Sequence, residues 1–322
     1  MMKPLLLRVL FILLFSFLSF ETLHAQEYKN QFSVETDNDQ YINPNHDRYY
    51  TDGTVLTFTH AMHHADTGNL VKKIMEYQLG QQLYNPSTAH IYKPSLFDRP
   101  FTGYLFGSVA FNWLYKDESA FKFTAQLGTI GPNSLGEPIQ TWFHKFFKLY
   151  PVGPWYKYGI QKSELGLNLN LDYKKLLYRN DGGWFDVSMD PDAQLGNTFT
   201  YVDAGMQLRL GNLGKFFDSE ITNSRVSSVD KGPQKHEFYL FTEPQLSYVA
   251  YNATIEGGLF THETGPTFGI YHIVYIQQIG LEYASARWSA SYVAFIKTRE
   301  VKSTALGDQW AAVNISYRFG KI

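Results

Sequence analysis

Apolar and polar residues alternate one by one along several stretches of this chain, the period-two pattern of strands whose two faces meet different surroundings. In Glu164 to Lys174, Leu165, Leu167, Leu169, Leu171 and Tyr173 share one face, while Glu164, Gly166, Asn168, Asn170, Asp172 and Lys174 share the other. Tyr201 to Gly211 sets Val202, Ala204, Met206, Leu208 and Leu210 against Tyr201, Asp203, Gln207 and Arg209. Phe121, Phe123, Ala125 and Leu127 oppose Lys122, Thr124 and Gln126, and Ala311, Val313, Ile315, Tyr317 and Phe319 oppose Ala312, Asn314, Ser316 and Arg318. Further segments at 29–37, 52–62, 74–84, 102–115, 183–190, 236–251, 272–285 and 287–298 bring the expected count to about twelve strands. Most run ~9–12 residues, the length a tilted strand needs to cross hydrocarbon.

A soluble β-sandwich also alternates, so the class rests on what surrounds the strands. The first residues carry Lys3 and Arg8 ahead of the apolar run Val9 to Phe20, then small Ala25, which reads as a signal peptide over 1–25, with an uncleaved anchor as the alternative, followed by one domain over 26–322. After residue 26 no apolar stretch reaches the length of a membrane helix. Tyr84, Tyr104, Trp113, Tyr115, Tyr173, Tyr251, Trp288 and Trp310 crowd the strand ends, where amphipathic rings suit a membrane interface. Since lipid offers backbone N–H and C=O groups no water, such a sheet must close on itself. The expectation is an all-β, transmembrane antiparallel β-barrel of about 12 strands in a bacterial outer membrane, facing its lipid. It is expected to be monomeric, because closure leaves no strand edge that demands a partner.

Two connections look long, at 130–163 and 211–235. The first holds a helical piece, Glu137 to Leu149, with Pro138 in its first turn and Gln140 and His144 four apart on one face. Composition narrows the chemistry. With 28 Lys+Arg against 30 Asp+Glu there is no basic excess to neutralise phosphates, which excludes nucleic acid as a partner. The lack of Cys removes thiolate metal sites and cysteine nucleophiles, and no G-x-S-x-G elbow is present. What is left is hard-oxygen chemistry. Glu35 to Asp39, Asp47 to Gly53 and Asp98 to Tyr104 gather carboxylates, amides and hydroxyls suited to Ca²⁺. A histidine beside such a cation can deprotonate water while the cation stabilises an ester oxyanion. On spacing alone each run also reads as a turn, and Asp98-Arg99 as an ion pair or turn at a barrel rim. His60, His63 and His64 read as a strand end and its loop.

The runs Glu35 to Asp39, Asp47 to Gly53, Asp98 to Phe106, and above all Gly128 to His144 with its Gly-Pro-x₃-Gly-x₃-Gln-x₃-His spacing, resemble the lipid A 3′-O-deacylase family of outer-membrane proteins. That resemblance implies a twelve-stranded barrel whose active site lies between the outer wall and a helix of an extracellular loop. It also implies Ca²⁺-dependent removal of a 3′-linked acyl or acyloxyacyl group from lipid A or lipopolysaccharide. Position by position, His144 resembles the family's water-activating base, Gln140 its helix neighbour, and Thr51 the Thr of the Asp-Arg-x-Tyr-Thr run. The family's Asn-Asp pair looks like Asn38-Asp39, with Asp39 the metal-associated carboxylate. A register shifted by two would place Thr36-Asp37 there. The sequence departs from the family twice: no Lys matches within Tyr84 to Pro94 except Lys93 nearby, and Tyr150 stands where an acidic residue follows the His. Glu164 is a candidate for that missing charge. The alternative readings are a non-catalytic barrel, pore or structural, and a hydrolase of this fold acting on another lipid ester.

Overall fold

The structure is a computed structural model describing residues 28–44, 47–64, 68–90, 96–229 and 236–321. The signal peptide expected at 1–25 and Lys93 lie outside the described residues. Twelve strands follow in order: β1 (Tyr28–Asn38), β2 (Tyr49–Met62), β3 (Leu70–Asn85), β4 (Thr102–Tyr115), β5 (Ser119–Ile130), β6 (Glu164–Arg179), β7 (Phe185–Gly196), β8 (Phe199–Asn212), β9 (Glu237–Asn252), β10 (Ile273–Ala284), β11 (Trp288–Lys297) and β12 (Asp308–Lys321). Each pairs antiparallel with its sequence neighbours, and β1 closes on β12 with Phe32 opposite Tyr317 and Val34 opposite Ile315. Closure gives every strand two partners, as a medium without water requires. β7 runs past the expected 190 through Asp190-Pro191-Asp192, where three non-alternating residues hide a strand that still pairs Pro191 with Ala204.

Polarity is inverted relative to a soluble protein. Leu165, Leu167, Leu169 and Leu171 are all exposed, as are Leu195, Val202, Leu240 and Ile279, and these form the lipid-facing surface. The interior carries charge in matched pairs, Lys122 with Glu76 and Arg209 with Asp186 on the strands, and Arg225 and Glu220 of the β8–β9 connection with Glu237 and Arg318. Such pairs survive burial because each charge keeps a partner and further hydrogen bonds.

The connections after β1, β3, β5, β7, β9 and β11 emerge at one end and include the long segment 131–163. Long loops mark the extracellular side of such barrels. Over that mouth, Ile255, Ile270, Val301 and Ala305 cluster on Tyr49. At the opposite end most turns are short, but the described part of the connection between β8 and β9, residues 213–229, folds into the lumen. There Asn112 donates to the carbonyl of Thr222 at 2.9 Å, Asn223 donates to Thr59 at 2.9 Å, and Gln31 donates to Asn223 at 2.6 Å.

Candidate active site at the extracellular rim

After β5 the chain turns through Gly131-Pro132 and enters helix α1 (Gly136–Phe146) from Leu135, which takes the left-handed conformation at φ 60. The helix is shorter than the expected Glu137–Leu149 because Lys148 turns left-handed at φ 55, closing the end before Leu149. Gly136, Gln140 and His144, spaced by four, make a buried stripe, with Gln140 4% and His144 5% exposed. Trp142 and Phe146, 62% and 66% exposed, point away from the wall with Ile139. The stripe reaches the barrel because Gly136 meets Gly103 of β4. A Cβ added at Gly103 would lie 2.2 Å from the Ser134 hydroxyl and 3.0 Å from Gly136 Cα. Those two glycines set the distance between helix and wall.

Across this seam runs one hydrogen-bonded chain. Trp155 Nε1 donates to Gln140 Oε1 at 2.9 Å, Gln140 Nε2 to Asn85 Oδ1 at 3.0 Å, and Asn85 Nδ2 to Asp47 Oδ1 at 2.7 Å. Thr51 donates to the same Asp47 oxygen at 2.8 Å and lies 3.4 Å from Asp39 Oδ1. Tyr150 donates its hydroxyl to Asp47 Oδ2, and His144 Nε2 stands 3.6 Å from that oxygen. His144 Nδ1 lies 2.8 Å from the carbonyl of Tyr150. A carbonyl only accepts, so in the neutral ring Nδ1 carries the proton and Nε2 the lone pair. Asp39 is fully buried at the turn after β1 and accepts the Arg48 N–H at 2.9 Å. Burial, with the nearby charges of Asp47 and Asp308, pushes its carboxyl up to about 8 despite that hydrogen bond.

The structure therefore brings His144, Gln140, Thr51 and Asp39 into one network. Asn38 borders it but is engaged locally, its Oδ1 accepting the Gln40 N–H at 2.8 Å to cap the turn Asp39–Tyr41. Asp37 faces the lumen instead, taking the hydroxyl of Tyr50, whose ring leans on Tyr84 and Trp310. Glu164 accepts the backbone N–H groups of Leu259, Phe260 and Thr261 and a side-chain bond from Asn197, so its carboxylate orders another loop rather than His144. Arg99 pairs with Glu300, while Asp98 accepts from Tyr49 and Ser87. His60 bonds Asn30 at 2.7 Å, and His63 and His64 follow β2 at the opposite end of the barrel.

Sequence reasoning missed Asp47 as the hub, along with Asn85, the Tyr150 hydroxyl and Trp155. For Asp47 a signal was present, because it opens the Asp-Arg-x-Tyr-Thr run that supplied Thr51. Among the described residues no three acidic or imidazole side chains form a metal-binding group. The donor set near His144 is two carboxylates, Asp39 and Asp47, bridged by the Thr51 hydroxyl. Hard oxygens of this kind fit calcium, which completes its six to eight ligands with carbonyls and water.

Solved structures of similar shape include LpxR from Salmonella typhimurium, 22% identical, covering 90% of this chain and 100% of that one with a TM-score of 0.73. An outer-membrane channel from Pseudomonas putida F1 is 9% identical, with 94% and 100% covered and a TM-score of 0.47. The translocator domain of the autotransporter NalP from Neisseria meningitidis is 11% identical, with 98% and 95% covered and a TM-score of 0.43. A comparison with curated proteins finds no match. The family model described as outer membrane protein LpxR matches residues 9–319, nearly the whole sequence. The chain belongs to the LpxR family of outer-membrane proteins, the lipid A 3′-O-deacylases whose motifs its residues 35–144 resemble.

Proposed function

We propose that this protein is a calcium-dependent ester hydrolase that removes a 3′-linked acyl or acyloxyacyl group from lipid A in the outer leaflet. One observation carries the reading. His144 Nε2, left with its lone pair by the Nδ1 bond to Tyr150, opens toward the oxygen cluster of Asp47, Thr51 and Asp39. That cluster sits at the barrel's outer rim beneath a helix whose far face is apolar, where fatty chains lie.

In the reaction, Nε2 takes a proton from water as the oxygen attacks the ester carbon. Asp47, 3.6 Å away, favours the imidazolium that forms. The same ring then returns the proton to the sugar oxygen as the C–O bond breaks, leaving a hydroxyl and a fatty acid. Asn85, Gln140 and Trp155 hold Asp47 and the helix in register. Asp39, Asp47 and Thr51 would hold the calcium ion. That ion, when bound, supplies Lewis acidity to polarise the ester carbonyl and favour its oxyanion.

The test is mass spectrometry of lipid A from cells expressing the wild type or His144→Ala. The wild type should shorten lipid A by its 3′ acyl or acyloxyacyl group, and only while calcium is free of chelator. The variant should leave lipid A intact with the barrel still folded. Equal deacylation by both removes His144 from the mechanism. Cleavage of phospholipid but not lipid A favours a hydrolase of another lipid ester. Conductance without cleavage favours a pore, a reading disfavoured by the polar segment lodged across the lumen.

A further inference from the structure

Inside the barrel lies a cavity of about 360 Å³ whose lining includes none of Asp39, Asp47, Thr51 or His144. Its lining includes Glu35, Asp37, Glu76, Glu220 and Glu282, against a single ammonium, Lys122. Asp37 takes the Tyr50 hydroxyl, Glu35 accepts from Asn314 at 3.4 Å, and two more of the carboxylates are answered in part by a charged group. Lys122 pairs with Glu76 Oε2 at 2.7 Å, and Arg318 pairs with Glu220 Oε2 at 2.9 Å. Three carboxylate oxygens, Asp37 Oδ1, Glu76 Oε1 and Glu282 Oε1, are buried with no protein hydrogen-bond partner. Glu76 and Glu282 are 1% and 5% exposed, so bulk water does not solvate them. A buried carboxylate oxygen without a donor is costly, and several sharing one cavity repel one another.

The ladder relates these groups. Glu282 lies opposite Ser291, Ser291 opposite Asn314, and Asn314 opposite Glu35, placing four lining residues on one row across β10, β11, β12 and β1. The acids thus come from separate strands around the wall and do not close into a direct coordination cage. That arrangement suits an ion that keeps its own water. A shell of six waters takes up roughly 180 Å³ at ~30 Å³ each, well within the cavity, and magnesium sheds such water reluctantly.

We propose that the lumen chamber bounded by Glu35, Asp37, Glu76 and Glu282 holds a hydrated divalent cation of the magnesium class, bound through its water shell. It is a second site, separate from the rim. Its occupant balances the acids lining the chamber.

The experiment uses manganese as probe, read by electron paramagnetic resonance, on the full chain folded into detergent with the ion present so that slow entry cannot hide binding. The background variant Asp39→Asn/Asp47→Asn removes the rim carboxylates. In that background bound manganese should persist and be displaced by magnesium. Adding Glu76→Gln/Glu282→Gln should weaken binding at least about tenfold. Ser291→Lys, which deletes no acid but brings an ammonium into the chamber beside Glu282 and Glu35, should abolish it. Heat-dependent mobility on gels establishes which proteins are folded, and Ser291→Lys serves if the double Gln variant is not. No manganese bound in the background variant overturns the proposal. Binding that Ser291→Lys leaves unchanged also overturns it, because the ion then sits on the surface.

Discussion

The two long connections of this barrel, 131–163 and that between β8 and β9, took opposite routes. The first lays helix α1 against the outside of the wall and offers Trp142 and Phe146 outward. The second turns inward and is built of Ser219, Glu220, Asn223, Ser224 and Arg225, each bonded to the lumen wall, Ser224 through its carbonyl, which accepts from Lys72 at 2.7 Å. Composition decides the route. A segment that can spend apolar surface on lipid stays outside, and one that cannot must find partners among inward-facing polar side chains. Under the proposed function, the chemistry belongs to the outer seam, within reach of fatty chains, while the lumen segment fills part of the interior.

The largest effect that would break this division comes from the inner connection. Arg318 is fully buried and donates to Glu220, Gln31 and Ser289 and to the carbonyls of Ser285 and Ala286. Replacing it by Leu leaves a buried carboxylate uncompensated, which costs about 3–5 kcal/mol. Urea unfolding of Arg318→Leu should shift by that amount while deacylation per folded molecule stays at the wild-type level. A stable variant with lost activity would mean that lumen and rim are not independent. Next in size is Gly103→Leu on the outer side. Its added carbons meet Ser134 and Gly136 and lift helix α1 from the wall. A displacement near 1 Å typically costs about 100-fold in rate. Lipid A turnover should fall by that order with urea stability nearly unchanged, the reverse of the Arg318 result.

Much of this was legible in the residues. All twelve strands were anticipated, four of them from explicit alternation, which arises because lipid outside and polar groups inside impose opposite chemistry on successive positions. It failed at Asp190-Pro191-Asp192, where the strand carries no alternation to read. The spacing of Gln140 and His144 announced a one-faced helix, which the structure extends back to Gly136. Asn85 could not be singled out, since its importance comes from contacts spanning 38 and 55 residues of sequence, whereas Asp47 stands in the same short run as Thr51 and was passed over. Tyr150 was read as a missing acid. The structure gives it a different task, presenting its carbonyl to His144 and its hydroxyl to Asp47. The inward turn of the β8–β9 connection was equally hidden, because a polar run looks the same whether water or a charged lumen receives it.

A smaller effect sharpens the comparison where the two environments meet, in the loop over the extracellular mouth. Arg99, fully buried before β4, pairs with Glu300, which also receives Lys297 at 2.8 Å. Burial alone would raise the Glu300 carboxyl, but Lys297 and Arg99 overcome it and hold the group down at about 2, against an ordinary 4.5. In the unfolded chain the group titrates near its ordinary value, so its contribution is whole above about pH 4.5. Below that the unfolded chain takes up the proton first, and the contribution drains away as pH falls toward 2. The barrel wall, held by its ladder, has no comparable dependence on Glu300. Pepsin cleavage within 253–272 and 298–307 should therefore rise steeply between pH 4 and pH 2 in the wild type, with the strands uncut. Glu300→Gln, which lacks the charge at every pH, should be cleaved readily at pH 4 and change little on further acidification. Matching profiles for the two proteins would mean that the mouth is held by its apolar cluster around Tyr49 and Val301, and that charge governs the lumen alone.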